Sequence, residues 1–258
     1  MYDSPSPASS SVASAEVLPR TVDQARLHWT AADWLAVAAI PLIFSVDAIV
    51  TALMGVGTAT IVADTSVRII LCATLLVLYR CLLAEHWRRF RAAFWRNTGL
   101  VLLGAILMQV VVSLVRSALP SVPAASTEDS ASLIDPMTAQ GGQIALLFFA
   151  MLGPLATVMV EEAVFRHTLL VKLPLWGSRV LAGIGIVTNG ALFGAVHYFD
   201  FGSLLGTVPF MVVGVLFNLV YLWRRNLWHV ILMHLVNNAV LGIGALTFVM
   251  ILRAATGA

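Results

Sequence analysis

The sequence predicts an all-α membrane protein, a polytopic transmembrane bundle of seven or eight helices, from its composition and its apolar runs. Of the 258 residues, 60% are hydrophobic and 11% are charged, whereas soluble domains carry roughly 25% charged residues. The mean hydropathy is +0.93. Apolar runs close to the ~20 residues that cross ~30 Å of hydrocarbon recur along the chain. These observations exclude a soluble globular domain, whose core could not enclose so much apolar surface.

Six apolar runs each predict one transmembrane helix: residues 34–54, 67–83, 98–115, 144–160, 204–223 and 227–252. A seventh run, residues 180–196, is diluted by glycines, which are common where membrane helices pack closely. The last run is long enough to be broken into two helices, which would give eight.

Composition divides the chain into four segments. Residues 1–32 are rich in Ser, Ala and Pro and predict a disordered cytoplasmic tail. Residues 33–118 hold the N-terminal transmembrane helices, and residues 119–143 form an acidic extracytoplasmic loop. Residues 144–253 are a helical domain that carries most of the polar side chains. We therefore look for chemistry in this last segment.

The distribution of positive charge predicts a cytoplasmic N-terminus. In that orientation the cytoplasmic side receives all of the 15 Lys and Arg residues except Arg68, Arg116 and Arg253. The net charge of +2 then reflects loops that face an anionic leaflet, and it does not indicate nucleic-acid binding. A composition rich in Ala, Val and Leu suggests a bacterial source, and hence the inner (plasma) membrane.

Ionisable groups at membrane depth mark the candidate functional site. They cost roughly 2.5 to 3.5 kcal/mol on insertion scales, so each is a functional hypothesis. The domain at 144–253 carries three such motifs on apolar helices: Glu161-Glu162-x-x-x-Arg166, Phe193-x-x-x-His197 and His234-x-x-x-Asn238.

Helical spacing indicates which of these groups act together. Glu162 and Arg166 are four residues apart, so they can form an ion pair on one face, which is the more ordinary, structural interpretation of these two. Glu161 is turned about 100° away and stays free for other work. His234 and Asn238 present a ring nitrogen and an amide on the same side of their helix.

One Glu, two His and one Asn suffice to hydrolyse an amide. Glu161 and His197 could hold and deprotonate a water molecule. His234 and Asn238 could then donate hydrogen bonds to the oxyanion, each donor contributing about 3 to 4 kcal/mol. The four groups must converge. We therefore expect either that the His197 helix is tilted or that the Glu161 helix continues through Leu173.

The three motifs together resemble the CPBP family, also called the CAAX-protease and bacteriocin-processing (ABI) family of intramembrane proteases. The resemblance covers residues 144–252. It implies that Glu161 and His197 activate water, that His234 and Asn238 form the oxyanion hole, and that Glu162, Arg166 and Phe193 support them. It also implies a protein or peptide substrate that is membrane-associated or prenylated.

Metal dependence stays open at this point. Glu161, His197 and His234 are acceptable zinc ligands that leave a position for water, and the family is often called metalloprotease. There is no His-Glu-x-x-His motif, so a zincin-type site is excluded. The candidate cofactor is therefore none or Zn²⁺.

Two other functions fit parts of the same pattern. A non-catalytic immunity or scaffold protein of this fold would carry the motifs without using them. A proton-coupled transporter also places Glu and His in the membrane, although the two halves of the chain show no internal symmetry. Serine and aspartate intramembrane proteases are excluded, because neither Gly-x-Ser nor Gly-x-Gly-Asp occurs.

Overall fold

A computed structural model describes residues 28–120, 134–173, 176 and 178–256, and every regular element within them is helical. Most of the predicted tail and residues 121–133 of the 119–143 loop lie outside the described residues. The α-helices are α1 (Ala31–Met54), α2 (Thr58–Leu78), α3 (Arg80–Arg91), α4 (Phe94–Ala118), α5 (Gly142–Ala150), α6 (Leu152–Glu161), α7 (Arg179–Ala195), α8 (Tyr198–Phe201), α9 (Leu204–Arg224), α10 (Leu227–Ala239) and α11 (Ala245–Thr256).

Two π-helical segments complete the fold. The first, Glu162–Leu170, directly continues α6, and the second, Val240–Gly244, joins α10 to α11. Six helical stretches of the described chain are long and apolar enough to cross a membrane, and α7 is a shorter apolar helix of 17 residues. The all-α polytopic prediction is therefore confirmed, and the chain is an integral membrane protein.

Two of the long stretches decide questions left by the sequence. The last runs unbroken over Leu227–Thr256, so it is one span with a π-helical segment inside it. The fourth runs over Gly142–Leu170, and helical backbone continues to Lys172. The Glu161 helix therefore continues almost to Leu173, and Glu161 lies well inside its span.

The second span differs from its prediction. We predicted residues 67–83, but α2 is Thr58–Leu78, so placing Arg68 in an extracytoplasmic loop is wrong. Arg68 lies inside the helix, where its Nε is 2.8 and 2.7 Å from the two carboxylate oxygens of Asp64. The hydropathy pattern hides this helix because it counts two charges, whereas the i,i+4 pair neutralises them.

Close packing of α7 against α9 depends on three glycines. A Cβ on Gly190 would lie 2.6 Å from the backbone nitrogen of Val215, and one on Gly194 would lie 2.3 Å from that of Met211. From the other helix, a Cβ on Gly214 would lie 2.5 Å from the carbonyl oxygen of Gly190. Small residues let membrane helices approach at backbone distance, and here they place the end of α7, and so His197, against α9.

A buried carboxylate joins the N-terminal helices to the C-terminal domain. Asp33, at the start of α1, is fully buried and accepts hydrogen bonds from Thr30, Tyr79, Thr168 and the only lysine of the chain, Lys172, whose Nζ lies 2.6 Å away. Several donors around one carboxylate offset the cost of removing it from water. The cluster therefore fixes α1 and α2 against the helix that carries Glu161.

We expect Gly194→Ala to destabilise the protein by about 2 kcal/mol, since overpacking a close contact typically costs 1 to 3 kcal/mol. Gly183→Ala is the matched control on the same helix, because a Cβ there meets nothing within 4 Å. The measurement is the thermal unfolding midpoint of the detergent-purified protein, followed by circular dichroism. Equal midpoints for the two variants would contradict the close packing.

We expect Lys172→Met to destabilise the protein by about 3 kcal/mol or more, because it leaves the buried Asp33 carboxylate without its cation. The double variant with Asp33→Asn should recover part of that loss. Arg89→Gln is the control: it breaks an i,i+4 pair with Glu85 whose arginine side chain is 48% exposed, and exposed pairs contribute about 0 to 1 kcal/mol. Chemical unfolding in micelles measures all four proteins.

Candidate active site

A small cavity within the membrane-spanning part of the chain brings two of the predicted site residues together. Its volume is about 50 Å³, and its wall includes both Glu161 and His197. The other lining residues are Ile40, Ile43, Phe44, Arg68, Thr157 and Val196. The wall is therefore apolar on the α1 side and carries an acid, an imidazole, a hydroxyl and a guanidinium elsewhere.

The change from α-helix to π-helix falls between the two adjacent carboxylates. α6 ends at Glu161 and the π-helical segment begins at Glu162; such π-helical turns occur frequently at functional sites. Both carboxylates face the same imidazole. The Oε1 of Glu162 lies 3.0 Å from His234 Nδ1, and the Oε2 of Glu161 lies 3.7 Å from His234 Nε2. The α-helical spacing predicts that Glu161 faces about 100° away from Glu162, yet the two carboxylates lie near the two nitrogens of one ring.

Glu162 contacts two partners on different residues. Its Oε2 lies 3.3 Å from the Nε of Arg166, and both side chains are fully buried. The two atoms are close enough for an ion pair, but they are not aligned for a hydrogen bond. Neither atom makes a hydrogen bond to any described residue. The predicted Glu162–Arg166 pair thus exists, and Glu162 also orients His234.

Two aromatic rings enclose the guanidinium of Arg166. Its Cζ lies 4.2 Å from the ring centroid of Phe193 on α7 and 4.9 Å from that of Phe217 on α9. A cation over an aromatic face is stabilised by the ring quadrupole, and desolvation strengthens the contact. Arg166 therefore connects its own helix to α7 and α9.

Phe193 also contacts both histidines of the predicted site. Its ring centroid is 5.4 Å from that of His197 and 5.9 Å from that of His234. Its carbonyl oxygen accepts a hydrogen bond from His197 Nδ1 at 3.1 Å. With Nδ1 as the donor, the Nε2 lone pair of His197 is left available. His197 is further fixed by stacking on Phe210, with centroids 4.9 Å apart.

Asn238 lies apart from these groups. Its amide nitrogen donates to the carbonyl oxygen of Pro154 at 3.2 Å, and its amide oxygen accepts from Asn237. It is on the same helix as His234, as the spacing predicted, but it is not a lining residue of the cavity. The structure thus connects four of the predicted residues by direct contacts: Glu161, Glu162, Arg166 and His234. His197 joins them because it lines the same cavity as Glu161.

The candidate zinc ligands do not form a metal-binding group as they are placed. In the part of the chain that the structure describes, no three His, Cys, Asp or Glu side chains are arranged to hold a metal ion. His234 directs its two nitrogens to Glu161 and Glu162.

Sequence reasoning missed the contribution of the N-terminal helices. α1 supplies the apolar wall, and α2 supplies Arg68, whose Nη1 donates to Thr157 Oγ1 at 2.9 Å. The signal that could have revealed Arg68 is its i,i+4 spacing from Asp64 inside an otherwise apolar stretch.

Comparison with known families identifies this region. Residues 143–240 match the family model described as Rce1-like, type II CAAX prenyl endopeptidase. All three motifs lie inside the match. This segment belongs to the CAAX-protease, or CPBP, family. No curated protein and no solved structure matches the chain. The CAAX-protease segment extends from α5 to the start of the second π-helical segment, so α1 to α4 lie outside it.

We expect Glu162→Gln to destabilise the CAAX-protease segment by about 3 kcal/mol, because it leaves Arg166 buried without its counter-charge. Activity should fall with stability, since the carboxylate charge beside His234 Nδ1 is lost. Glu85→Gln is the matched control outside the segment. Thermal unfolding in detergent, read beside cleavage activity, measures both effects. A Glu162→Gln protein as stable as the wild type would show that the ion pair is not needed for folding.

Proposed function

We propose that this protein is an intramembrane endopeptidase that hydrolyses peptide bonds of membrane-associated or prenylated substrates with a water molecule activated by Glu161 and His197. The family match supports a CAAX-type intramembrane protease. The observation that carries the finer proposal is that Glu161 and His197 line one cavity inside the membrane-spanning region. The other partners are the lipid bilayer and a protein or peptide substrate.

The cavity suits a hydrolytic water. A volume of about 50 Å³ exceeds the ~10–15 Å³ that a cavity needs to hold one water molecule, and the polar wall supplies the partners that a bound water needs. Glu161 acts as the general base and returns the proton to the leaving amine. His197 assists with Nε2, the ring nitrogen that the carbonyl oxygen of Phe193 does not engage.

His234 suits the stabilisation of negative charge. It lies between the Glu161 and Glu162 carboxylates, while Arg166 supplies only one positive charge. Its Nε2 lies 3.7 Å from Glu161 Oε2, so an N–H on this nitrogen would lie next to the proposed general base. In this role His234 donates to the oxyanion as the tetrahedral intermediate forms.

Asn238 completes the oxyanion hole in this proposal on the strength of the motif. An amide nitrogen has two hydrogens, and the bond to Pro154 uses one. The second is the candidate donor to the substrate. Because Asn238 does not line the cavity, the proposal requires the substrate carbonyl to reach from the cavity towards α10.

The apolar wall supports a substrate that enters from the membrane. Ile40, Ile43, Phe44 and Val196 also line the cavity. Burial of apolar surface contributes about 25 cal/mol per Å², so this wall favours apolar side chains next to the scissile bond. A hydrophilic peptide would leave its polar groups without partners there.

We expect Glu161→Gln, His197→Ala and His234→Ala each to lower the rate of peptide cleavage by about 100-fold or more, since general-base and oxyanion groups contribute factors of roughly 10² to 10⁴. The measurement is single-turnover cleavage of a prenylated-cysteine peptide by protein in proteoliposomes. The matched controls, Glu85→Gln and His28→Ala, alter the same residue types outside the site and should keep wild-type rates.

Each variant must first show the wild-type thermal midpoint, so that loss of activity reflects chemistry and not folding. Retention of cleavage by all three folded variants would contradict the proposed protease mechanism. It would favour a protein that binds its partner and carries the motifs without using them.

A further inference from the structure

Three amide side chains form a line of hydrogen bonds from α4 to α10, which we call the amide chain. The Nε2 of Gln109 on α4 donates to the Oδ1 of Asn237 on α10. The Nδ2 of Asn237 donates in turn to the Oδ1 of Asn238 at 3.1 Å. The Nδ2 of Asn238 then donates to the carbonyl oxygen of Pro154 at 3.2 Å. The amide chain therefore begins on an N-terminal helix and ends at the residue proposed for the oxyanion hole.

The amide chain lies deep in the membrane-spanning part of the molecule. Gln109 comes 15 residues after Phe94 and nine before Ala118, the two ends of α4. At about 1.5 Å per residue, this is roughly 14 Å from the nearer end of the helix. Asn237 comes ten residues after Leu227, where the last span begins. An amide at such a depth is costly unless other groups take its hydrogen bonds, so side chains replace water as its partners here.

Close packing of α4 against α10 brings Gln109 to Asn237. The buried residues of α4 share one face of the helix: Asn97, Val101, Ala105 and Met108. Gln109 borders this face, since it lies one turn after Ala105. A Cβ on Gly104 of α4 would lie 2.7 Å from the Sδ of Met233, and Asn237 lies one turn after Met233 on α10. The contact between the two helices therefore continues into the amide chain.

The direction of the hydrogen bonds determines which way the Asn238 amide faces. A side-chain amide accepts through its oxygen and donates through its nitrogen. Because Gln109 donates to the oxygen of Asn237, the nitrogen of Asn237 faces Asn238. That nitrogen occupies the Asn238 oxygen, so the Asn238 nitrogen faces the other way. It has one hydrogen for Pro154 and a second for a substrate.

The opposite orientation of Asn238 would oppose the proposed chemistry. An N–H directed at the developing oxyanion stabilises it, whereas an amide oxygen in the same place would repel it. Two contacts hold the favourable orientation: Pro154 accepts from the Asn238 nitrogen, and Asn237 donates to the Asn238 oxygen. The second contact depends on Gln109. Without Gln109, the Asn237 amide is free to turn its oxygen, instead of its nitrogen, towards Asn238.

Amides also cross-link membrane helices without taking part in chemistry, but the amide chain extends beyond such a cross-link. A cross-link needs only the contact between Gln109 and Asn237. Here the hydrogen bonds continue to Asn238 and then to Pro154, which lies about two turns before Glu161 on α6. We propose that Gln109 is a positioning residue: through Asn237, it holds the Asn238 amide with its nitrogen towards the substrate carbonyl.

This inference rests on the proposed function, in which Asn238 donates to the oxyanion, and it adds a residue outside the matched segment. Gln109 lies on α4, whereas the family match begins at residue 143. The N-terminal helices thus contribute to the orientation of a donor as well as to the wall of the cavity.

The test is a double-mutant cycle between Gln109 and Asn238. Gln109→Met keeps the length of the side chain and removes the donor. Proteoliposomes that cleave a prenylated-cysteine peptide give the single-turnover rate at saturation and the peptide concentration for half of that rate. Gln109→Met should lower the rate roughly 2- to 12-fold, which corresponds to a hydrogen bond of 0.5 to 1.5 kcal/mol. The half-saturating concentration should not change, because the oxyanion exists only in the transition state. In an Asn238→Ala background, Gln109→Met should have no further effect.

A second variant breaks the amide chain from the other helix. Asn237→Leu removes the donor to Asn238 and keeps the test available if Gln109→Met does not fold. It should lower the rate at least as much, and adding Gln109→Met to it should change nothing, since the amides act in series. Gln143→Met is the matched control: its glutamine is exposed at the start of α5 and accepts from the backbone nitrogen of Gln140. It should keep the wild-type rate, and the thermal midpoint of every variant is measured beside it.

The possible results distinguish the role of Gln109 from the proposed function. Wild-type rates in folded Gln109→Met and Asn237→Leu overturn the role of Gln109 and leave the protease intact. An equal loss of rate with and without Asn238 also overturns it, and a lower thermal midpoint would then assign the amide chain to helix packing alone. A wild-type rate in folded Asn238→Ala removes the oxyanion donor and this inference with it. Cleavage that persists in folded Glu161→Gln contradicts the proposed function itself.

Discussion

The buried contacts of Glu162 hold the catalytic half of the molecule together. Its two oxygens face different cations or potential cations, His234 on α10 and Arg166 on the same helix. Arg166 in turn lies against the rings of Phe193 and Phe217, on α7 and α9. One carboxylate thus sets the relative positions of four helices. A charged side chain buried in the membrane is not solvated by water, so it is stable only next to partners of opposite charge or hydrogen-bond donors and acceptors. Glu161 and His197 are positioned by helices that this arrangement has already fixed.

Paired buried charges also connect the N-terminal helices to the CAAX-protease segment. Asp33 and Lys172 pair at one end of the bundle, and Asp64 and Arg68 pair near its middle, where Arg68 also donates to Thr157. Both links join residues before position 120 to the segment matched at 143–240. The cavity is therefore a composite, with Glu161 and His197 on the matched segment and the apolar residues of α1 and Arg68 on the N-terminal helices.

The sequence predicted the helical class, most of the spans and all three motifs, because apolar runs and i,i+4 spacing are local properties. It placed α2 wrongly because a hydropathy pattern cannot show that Asp64 neutralises Arg68. It also treated Glu161 and Glu162 as facing apart. An α-helical turn predicts that separation, whereas in the structure the two carboxylates lie at the two ring nitrogens of His234. The contribution of α1 and α2 to the cavity depends on tertiary packing between residues far apart in sequence, which no local pattern contains.

The central claim is that Glu161 and His197 act on one water molecule as a single unit. A double-mutant cycle of single-turnover cleavage rates tests it most directly, with wild type, Glu161→Gln, His197→Ala and the double variant measured at matched folding in proteoliposomes. Residues that act as a unit give strongly non-additive losses. The account predicts that the double variant is no slower than the slower single variant, within about twofold of experimental scatter. Losses that multiply, so that the double variant falls by the product of the two single factors, would contradict it.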